Sequence, residues 1–281
     1  MLMEAIRLEA NRFGFRPEDF IIRAPEQSEL FDEEDTRKYI EGCDYLKSAD
    51  DLLLALELQN AFGIENIRNM RILDAMCGPG RLGRELLGLG VSHVTFHDGH
   101  RTMINHAEAK ATETLASNAD NQSVQFVTSD AESTGLLSNE FDLVVCHNSI
   151  HQLRDDERLR GVIEEFARVT APGGHIVIAD YQRDPTSEFV DAITERLENT
   201  DEQVVDLLRD TFKAAFSKDE FASVLRKIPG ISHWLVADAR QPDLLDFDLE
   251  TQIRIAGDHI KGHLMDYGPI SQRVIVRKAQ I

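Results

Sequence analysis

Residues 71–83 read RILDAMCGPGRLG, and this stretch decides the fold. A short apolar run, RILDA, ends at a turn that contains Gly78 and Gly80 and leads into the helical pattern RLGRELLGLG. Glycines between a strand and a helix let the backbone approach a ligand, and the N-terminus of the helix favours an anionic group. The spacing Gly78-x-Gly80-x-x-Gly83 also satisfies the dinucleotide-binding pattern, so the turn alone is compatible with several ligands or with none.

Downstream of this turn, strand and helix patterns continue to alternate. Short apolar runs predict further strands at 93–98, 124–130, 142–148, 175–180, 231–238 and 271–278. Helical patterns separate the first five strands, which favours an α/β fold with a doubly wound, mostly parallel sheet. A sheet of this kind binds its ligand beyond the carboxyl ends of the strands, where the strand order reverses.

Acidic residues stand at the ends of three successive strands. Asp74 closes the first, Asp98 the second and Asp130 the third. A carboxylate at Asp98 can accept hydrogen bonds from both hydroxyls of a ribose, and one at Asp130 can accept from the exocyclic amine of a purine. Together with the glycine turn, the three acids predict a nucleoside ligand with a free diol.

Taken together, residues 70–181 resemble a class I S-adenosylmethionine-dependent methyltransferase. The resemblance rests on five motifs that occur in the family's order: Asp74-x-x-Cys77-Gly78-x-Gly80, His97-Asp98, Ser129-Asp130-Ala131, Phe141-Asp142-Leu143-Val144-Val145, and Arg168-Val169-x-x-Pro172-Gly173-Gly174. It implies the family's Rossmann-like sheet, with strand order 3-2-1-4-5-7-6 and the seventh strand antiparallel. It also implies S-adenosyl-L-methionine as cofactor and S-adenosyl-L-homocysteine as product.

The same resemblance implies a set of cofactor-binding residues. Asp74 would lie near the amino group of the methionine part, Asp98 would hold the ribose, and Asp130 with the Ala131 backbone would contact the adenine. The full set is Asp74, Met76, Cys77, Gly78, Gly80, Asp98, Gly99, Asp130, Ala131, Cys146 and His147. Two positions depart from the family: Met76 replaces a common glycine, and Gly99-His100 replaces a serine-bearing turn.

Methyl transfer from a sulfonium is an in-line displacement, so alignment supplies much of the catalysis. A general base is needed only if the acceptor must lose a proton. The candidates are His147 and His151 after the fourth strand and Tyr181 after the fifth, and each is equally compatible with a structural role. No set of acids resembles the metal site of catechol-type enzymes, so no metal is expected.

The chain divides into two predicted parts. Residues 1–69 form an N-terminal helical extension or lid, in which the acidic stretch 17–51 is interpreted as a solvated face. Within it, Ser48-x-x-Asp51 resembles a capping box for the helix DDLLLALELQNAF, which Gly63 would end. Residues 70–281 form the cofactor-binding domain. The stretch 184–228 is predicted to be wholly helical, and the domain's helical insertions are placed at about 184–217 and 240–266.

Composition narrows the function further. The chain of 281 residues has 30 Lys and Arg against 50 Asp and Glu, a net charge of −20, which argues against nucleic-acid partners. Its three cysteines have no paired spacing, and no apolar run approaches the ~20 residues that span a bilayer. We therefore expect a cytoplasmic protein with a small-molecule partner and no membrane or nucleic-acid partner. The sequence leaves the oligomeric state open, a homodimer included.

These observations favour an S-adenosylmethionine-dependent methyltransferase (EC 2.1.1 class) that acts on a small-molecule acceptor. Two alternatives stay open. One is a non-catalytic protein that binds the cofactor, which the departures at Met76 and Gly99 allow. The other is a nicotinamide-dependent oxidoreductase, which the spacing Gly78, Gly80 and Gly83 allows.

Overall fold

The structure is a computed structural model that describes residues 23, 40, 50–117, 122–183, 210–238 and 271–280. Among the described residues, α1 (residues 50–62) and α2 (Ile64–Asn69) directly precede the sheet. They are separated by Gly63, with φ of 81°, where the sequence predicts the first helix to end. The elements described in full after α2 are β1 (Arg71–Ala75), α3 (Arg81–Gly88), β2 (His93–Asp98), α4 (Arg101–Ser117), β3 (Ser123–Thr128), β4 (Phe141–His147), a 3-10 turn (Ile150–Gln152), α5 (Asp156–Val169), β5 (Thr170–Tyr181), α6 (Lys218–Leu225), β6 (Ile231–Asp238) and β7 (Ser271–Lys278). Residues 210–214 are also helical.

The seven strands form one sheet in the order β3-β2-β1-β4-β5-β7-β6. The pairs among β1 to β5 are parallel, whereas β7 runs antiparallel to both β5 and β6. The fold class and strand order predicted from the sequence are therefore confirmed. The usual dinucleotide-binding fold has the order 3-2-1-4-5-6 and no antiparallel strand inserted before the last one. The sheet therefore does not support the nicotinamide alternative.

Strands β3 and β4 differ from the predicted ranges by one or two residues at each end, and two predictions differ by more. β5 begins at Thr170 rather than at residue 175, because Thr170 pairs with Phe141 before a shift in register. The predicted continuous helix over 184–228 is interrupted at 215–217, and its first part, up to residue 209, lies outside the described residues. A new helix starts after Ser217, whose side chain accepts from the amide of Glu220 while Glu220 accepts from the amide of Ser217. This capping box overrides the helical periodicity of the surrounding sequence.

Helices cover both faces of the sheet. On one face, α5 and α6 pack on the strands through buried side chains such as Phe166 and Phe221. On the other, α1, α3 and α4 contribute residues such as Leu54 and Leu86 to a second core cluster. Because both faces are buried, ligand access is confined to the ends of the strands.

Gly83 in α3 allows that helix to pack closely on β2. A Cβ atom at Gly83 would lie 2.2 Å from the ring of Phe96, which is fully buried. The third glycine of the turn pattern is therefore explained by packing, without a ligand contact. We expect Gly83→Ala to lower the free energy of unfolding by about 1–3 kcal/mol, because the core must shift to admit the methyl group.

Gly88 in the same helix provides the matched control. Nothing lies within 4 Å of a Cβ built there, and Gly88→Ala is expected to leave stability unchanged or to raise it. Urea denaturation of both variants compares the two sites. Equal midpoints for Gly83→Ala and Gly88→Ala would contradict the packing explanation.

Candidate functional site

The glycine turn lies where the order of the sheet reverses, since β2 and β4 flank β1 on opposite sides. Met76, Gly78 and Gly80 all have left-handed backbones, with φ of 54°, 53° and 74°. No atom lies within 4 Å of a Cβ built at Gly78, whereas one at Gly80 would meet Ala107 at 2.7 Å. Gly78 therefore borders open space, and Gly80 is needed for the turn and its packing.

The backbone of Met76 explains why glycine is common at this position. A left-handed φ is strained for a residue with a side chain, at a cost of about 1–3 kcal/mol. The carbonyl of Met76 accepts a hydrogen bond from Oγ of Ser149 at 2.8 Å, and the side chain packs against the core under the sheet. Contacts with the loop after β4 thus compensate for the departure from the family's pattern.

Asp74 is buried at the end of β1, with 1% of its surface exposed. Its Oδ2 accepts from the backbone N–H of Gly83 at 2.9 Å. Burial raises the pKa of Asp74 to about 8, and the nearby carboxylates of Asp51 and Asp98 act in the same direction. A positive charge placed beside Asp74 would therefore find a carboxyl group that it can ionise.

Asp98 connects the glycine turn with the turn that follows β2. Its Oδ2 accepts from the N–H of Gly78 at 2.9 Å, and its Oδ1 accepts from the N–H of His100 at 2.8 Å. Nδ1 of His100 is also 3.3 Å from Oδ1, and this hydrogen bond raises the pKa of His100. Oδ2 has a second lone pair, so Asp98 can accept a further hydrogen bond there. A Cβ built at the neighbouring Gly99 meets only the carbonyl oxygen of Ser129, at 3.9 Å.

Asp130 is more exposed than Asp74 and Asp98. Its Oδ1 accepts from the N–H of Glu132 at 2.8 Å, and its Oδ2 lies 3.1 Å from Nη2 of Arg158. The backbone hydrogen bond from Glu132, followed by Arg158, holds the pKa of Asp130 below its usual value even though burial opposes this. Ala131 packs against the core beside it. The sequence did not indicate that an arginine of α5 would pair with Asp130.

The end of β4 supplies Cys146 and His147. The Cys146 side chain is fully buried in the core, and burial raises the pKa of its thiol, so only its backbone is available to a ligand at the end of β4. Cys77 is half-buried, and its amide donates to the carbonyl of His97 at 2.9 Å. Nδ1 of His147 lies 2.8 Å from Oδ1 of Asp51, in α1.

A buried histidine–aspartate pair links the loop after β4 to the end of β5. Nδ1 of His151 lies 2.7 Å from Oδ1 of Asp180, and both residues are at most 3% exposed. Asp180 also accepts from the backbone amides of Ser149, His151 and Tyr181. Although burial opposes it, these contacts hold the pKa of Asp180 below its usual value. The carboxylate is thus ionised and fixes the ring of His151.

Tyr181 lies beside this pair. Its ring makes an edge contact with His151, at 5.6 Å between centroids, and another with Phe212 at 5.1 Å. The structure therefore groups two of the three catalytic candidates, His151 and Tyr181. The third, His147, is held by a different aspartate.

Two residues before the sheet also reach this region, and sequence reasoning missed both. The interpretation of stretch 17–51 as a solvated face is wrong at Asp51, which is 6% exposed. Arg23 donates to the carbonyl oxygens of Leu153, Arg154 and Ala214, and its guanidinium stacks on Phe216. Charge and periodicity carry no signal for such long-range partners.

Other kinds of site are not seen among the described residues. Within those ranges, no group of three or more His, Cys, Asp or Glu side chains is placed to hold a metal ion. In the same part of the chain, no helix has the length and apolarity needed to cross a membrane.

Comparison with known families identifies the segment that carries most of these residues. Residues 72–174 match the family described as "Methyltransferase domain". This segment is similar to a methyltransferase domain. It contains the glycine turn, Asp98, Asp130 and the end of β4, whereas Asp51 precedes it and Asp180 follows it. The class I resemblance inferred from the sequence is thereby confirmed.

Solved structures of methyltransferases are similar in fold to this chain. A Methanococcus maripaludis protein assigned as an S-adenosyl-L-methionine-dependent methyltransferase aligns with a TM-score of 0.62 and 18% identity, over 92% of this chain and 98% of its own. The plantazolicin methyltransferase BpumL, solved with S-adenosylhomocysteine, aligns at 0.59 and 16%, over 86% and 90%. A methyltransferase from Aquifex aeolicus aligns at 0.55 and 17%, over 89% and 100%. At these identities the likeness shows the fold.

Proposed function

We propose that this chain is an S-adenosylmethionine-dependent methyltransferase that acts on a small-molecule acceptor. The observation that carries the proposal is the arrangement beyond the carboxyl ends of β1 and β4, called the crevice below, where a left-handed glycine turn lies beside Asp74 and Asp98 in the segment that matches a methyltransferase domain. The cofactor product bound to BpumL, a structure of the same fold, supports the choice of cofactor.

The residues present suit the cofactor. Gly78 leaves open space for a ligand, and Oδ2 of Asp98 keeps a lone pair for a ribose hydroxyl. Asp74 offers a carboxyl for the ammonium of the methionine part. The full proposed set is Asp74, Met76, Cys77, Gly78, Gly80, Asp98, Gly99, Asp130, Ala131, Cys146 and His147. When bound, the cofactor supplies a methyl group on a positively charged sulfur, which suits an acidic crevice.

Among the catalytic candidates, the geometry favours His151 as general base. Asp180 accepts the proton on Nδ1, so Nε2 is the ring nitrogen that takes a proton from the acceptor. Asp180 would then stabilise the imidazolium that forms. A base of this kind is useful for a protic acceptor such as a hydroxyl or a carboxyl group. Tyr181, packed against the ring, is proposed to help orient it.

A small acceptor is favoured over a nucleic acid by the net charge of −20. The helical insertions that the sequence predicts after β5 and β6 are proposed to enclose it. Structures of BpumL and of BamL, a second plantazolicin methyltransferase, contain desmethylPZN analogs. The acceptor of this chain is proposed only at the level of a small protic molecule.

Calorimetric titration with S-adenosylhomocysteine, and with NAD in a parallel experiment, tests the proposal. We expect micromolar binding of S-adenosylhomocysteine and none of NAD. Absence of S-adenosylhomocysteine binding would overturn the cofactor assignment. Binding without turnover of S-adenosylmethionine over a broad set of protic acceptors would favour the non-catalytic alternative.

Asp74 makes the stability of the free protein depend on pH. Its pKa rises from 3.8 in the unfolded chain to about 8 in the fold, so the folded state binds the extra proton between these values. The contribution of Asp74 to the free energy of unfolding is fully present below pH ~4 and is lost as the pH rises towards ~8. The free energy of unfolding falls over this range by up to ~1.4 kcal/mol per pH unit. We expect Asp74→Asn to remove this slope, measured as the difference in free energy of unfolding between variant and parent.

The affinity for S-adenosylhomocysteine should rise with pH, whereas the stability of the free protein falls. The ammonium of S-adenosylhomocysteine favours the ionised carboxyl, so binding to the parent releases a proton and tightens as the pH rises towards ~8. Asp74→Asn should therefore be more stable than the parent at pH ~8 yet bind S-adenosylhomocysteine more weakly. Titrations in buffers of different ionisation enthalpy count the released proton. A parent that releases none would contradict this role.

A further inference from the structure

Asp51 joins three distant parts of the chain at the edge of the crevice. It lies in α1, outside the methyltransferase domain, and is 6% exposed. Its Oδ2 is 2.9 Å from Nε of Arg81, and its Oδ1 is 2.8 Å from Nδ1 of His147. One carboxylate thus spans groups that are 30 and 96 residues away in the sequence.

Asp51 is a charged group held in place by its partners. The side chains of Arg81 and His147 are also mostly buried, at 12% and 8% exposed. Although burial opposes it, the hydrogen bond from His147 and the charge of Arg81 keep the pKa of Asp51 below its usual value. A buried ionised carboxylate is costly unless such partners are in place, so the geometry of the three groups is tightly coupled.

Arg81 and His147, the two partners of Asp51, belong to the two segments that flank the crevice. Arg81 is the first residue of α3, directly after Gly80 and the glycine turn, and His147 is the last residue of β4. The turn and the end of β4 lie on either side of the point where the sheet order reverses.

The helix that carries Asp51 is packed firmly against the same region. Leu54 and Leu58 of α1 belong to the core cluster that includes Leu82 and Leu86 of α3. Glu57, on the same helix, pairs with Arg273 of β7 at 3.1 Å. Helix α1 is therefore held by its apolar packing, by the Glu57–Arg273 pair and by the contacts of Asp51. Of these charged contacts, those of Asp51 are the ones made with residues beside the crevice.

We propose that Asp51 is a positioning residue for the cofactor site, which holds the glycine turn and the end of β4 at the spacing that binding requires. Helix α1 is then part of the cofactor-binding unit. This inference rests on the proposed function. It assigns a role to a residue that lies before the matched domain and within a stretch whose charge pattern is typical of a solvated surface.

The test compares Asp51→Asn with Glu57→Gln, a matched control that removes one charge from the same helix. The asparagine amide has one oxygen, so it cannot accept from both Arg81 and His147 as the two carboxylate oxygens do. We expect Asp51→Asn to weaken the binding of S-adenosylhomocysteine by about tenfold or more in calorimetry, and Glu57→Gln to change it by less than about twofold. Thermal melting of both variants checks that they fold.

A spectroscopic readout separates positioning from plain stability. In the parent, the ring nitrogens of His147 should show a hydrogen-bonded proton on Nδ1 in long-range 1H–15N spectra, and this signal should be lost in Asp51→Asn but kept in Glu57→Gln. If Asp51→Asn does not fold, Asp51→Glu takes its place. The longer side chain keeps the charge but moves the carboxylate by one methylene, and a loss of affinity of about threefold or more is then expected.

The outcomes distinguish the two proposals. A parent that does not bind S-adenosylhomocysteine overturns the proposed function and this inference together. If the parent binds S-adenosylhomocysteine and the Asp51 variant binds it as tightly as Glu57→Gln does, only the role of Asp51 is overturned. An equal loss of affinity in the Asp51 variant and Glu57→Gln would assign the effect to the docking of α1 and would also overturn it.

Discussion

Asp98→Ala is expected to lower the affinity for S-adenosylhomocysteine by roughly 1.5–3 kcal/mol, which is about 10- to 150-fold. The substitution removes a charged acceptor proposed for the ribose hydroxyls. It also removes the partner of the Gly78 amide, 2.9 Å from Oδ2, and of the His100 amide, 2.8 Å from Oδ1. The loss therefore combines a missing ligand contact with a loosened glycine turn.

Asp142→Ala is the matched control for this prediction. Asp142 is also an acid in a central strand, but it lies near the start of β4, at the opposite end of the strands, where it pairs with Arg71. Calorimetry should show binding close to that of the parent for Asp142→Ala. Equal affinities for Asp98→Ala and the parent, with both proteins folded, would remove Asp98 from the site.

The fold could be predicted from the sequence because its signals are local. Apolar runs bounded by turns placed β1, β2, β6 and β7 at the observed residues. The strand order came from the family resemblance and is confirmed by the sheet. The interruption at 215–217 was missed because periodicity was followed through Ser217 and Glu220, although this pair is itself a local signal for a helix start.

The site could be predicted only in part, because its contacts are long-range. The positions of Asp74, Asp98 and Asp130 at the ends of predicted strands placed all three at the carboxyl ends of the parallel strands. Nothing local shows that Asp130 meets Arg158, or that Asp51 is buried against His147. Charge in the stretch 17–51 favoured a solvated surface, and only tertiary packing distinguishes Asp51 from the other acids of that stretch.

The two histidines after β4 illustrate the same limit. His147 and His151 are equivalent candidates in the sequence CHNSIHQL. In the structure, Nδ1 of each ring contacts a different buried aspartate, Asp51 for His147 and Asp180 for His151. His147 is thereby tied to the glycine turn through Asp51 and its partner at the start of α3, whereas His151 is tied to the end of β5 and to Tyr181. This difference is why the base is proposed at His151.

His151→Asn is expected to lower kcat by about 10²- to 10⁴-fold for a protic acceptor, with the affinity for S-adenosylhomocysteine unchanged. The base would be lost while the crevice between β1 and β4 keeps its carboxylates. Asp180→Asn should also lower kcat, because an amide at this position cannot act as the charged partner of an imidazolium. Turnover is measured as release of S-adenosylhomocysteine with an acceptor found by screening.

His93→Asn supplies the control, since His93 is exposed at the start of β2, at the end of the strands away from the crevice. It should leave both kcat and cofactor affinity near the parent values. A variant that keeps its full kcat with an acceptor bearing an ionisable hydroxyl would show that alignment alone drives the transfer, and the buried His151–Asp180 pair would then serve to hold the loop after β4 against β5.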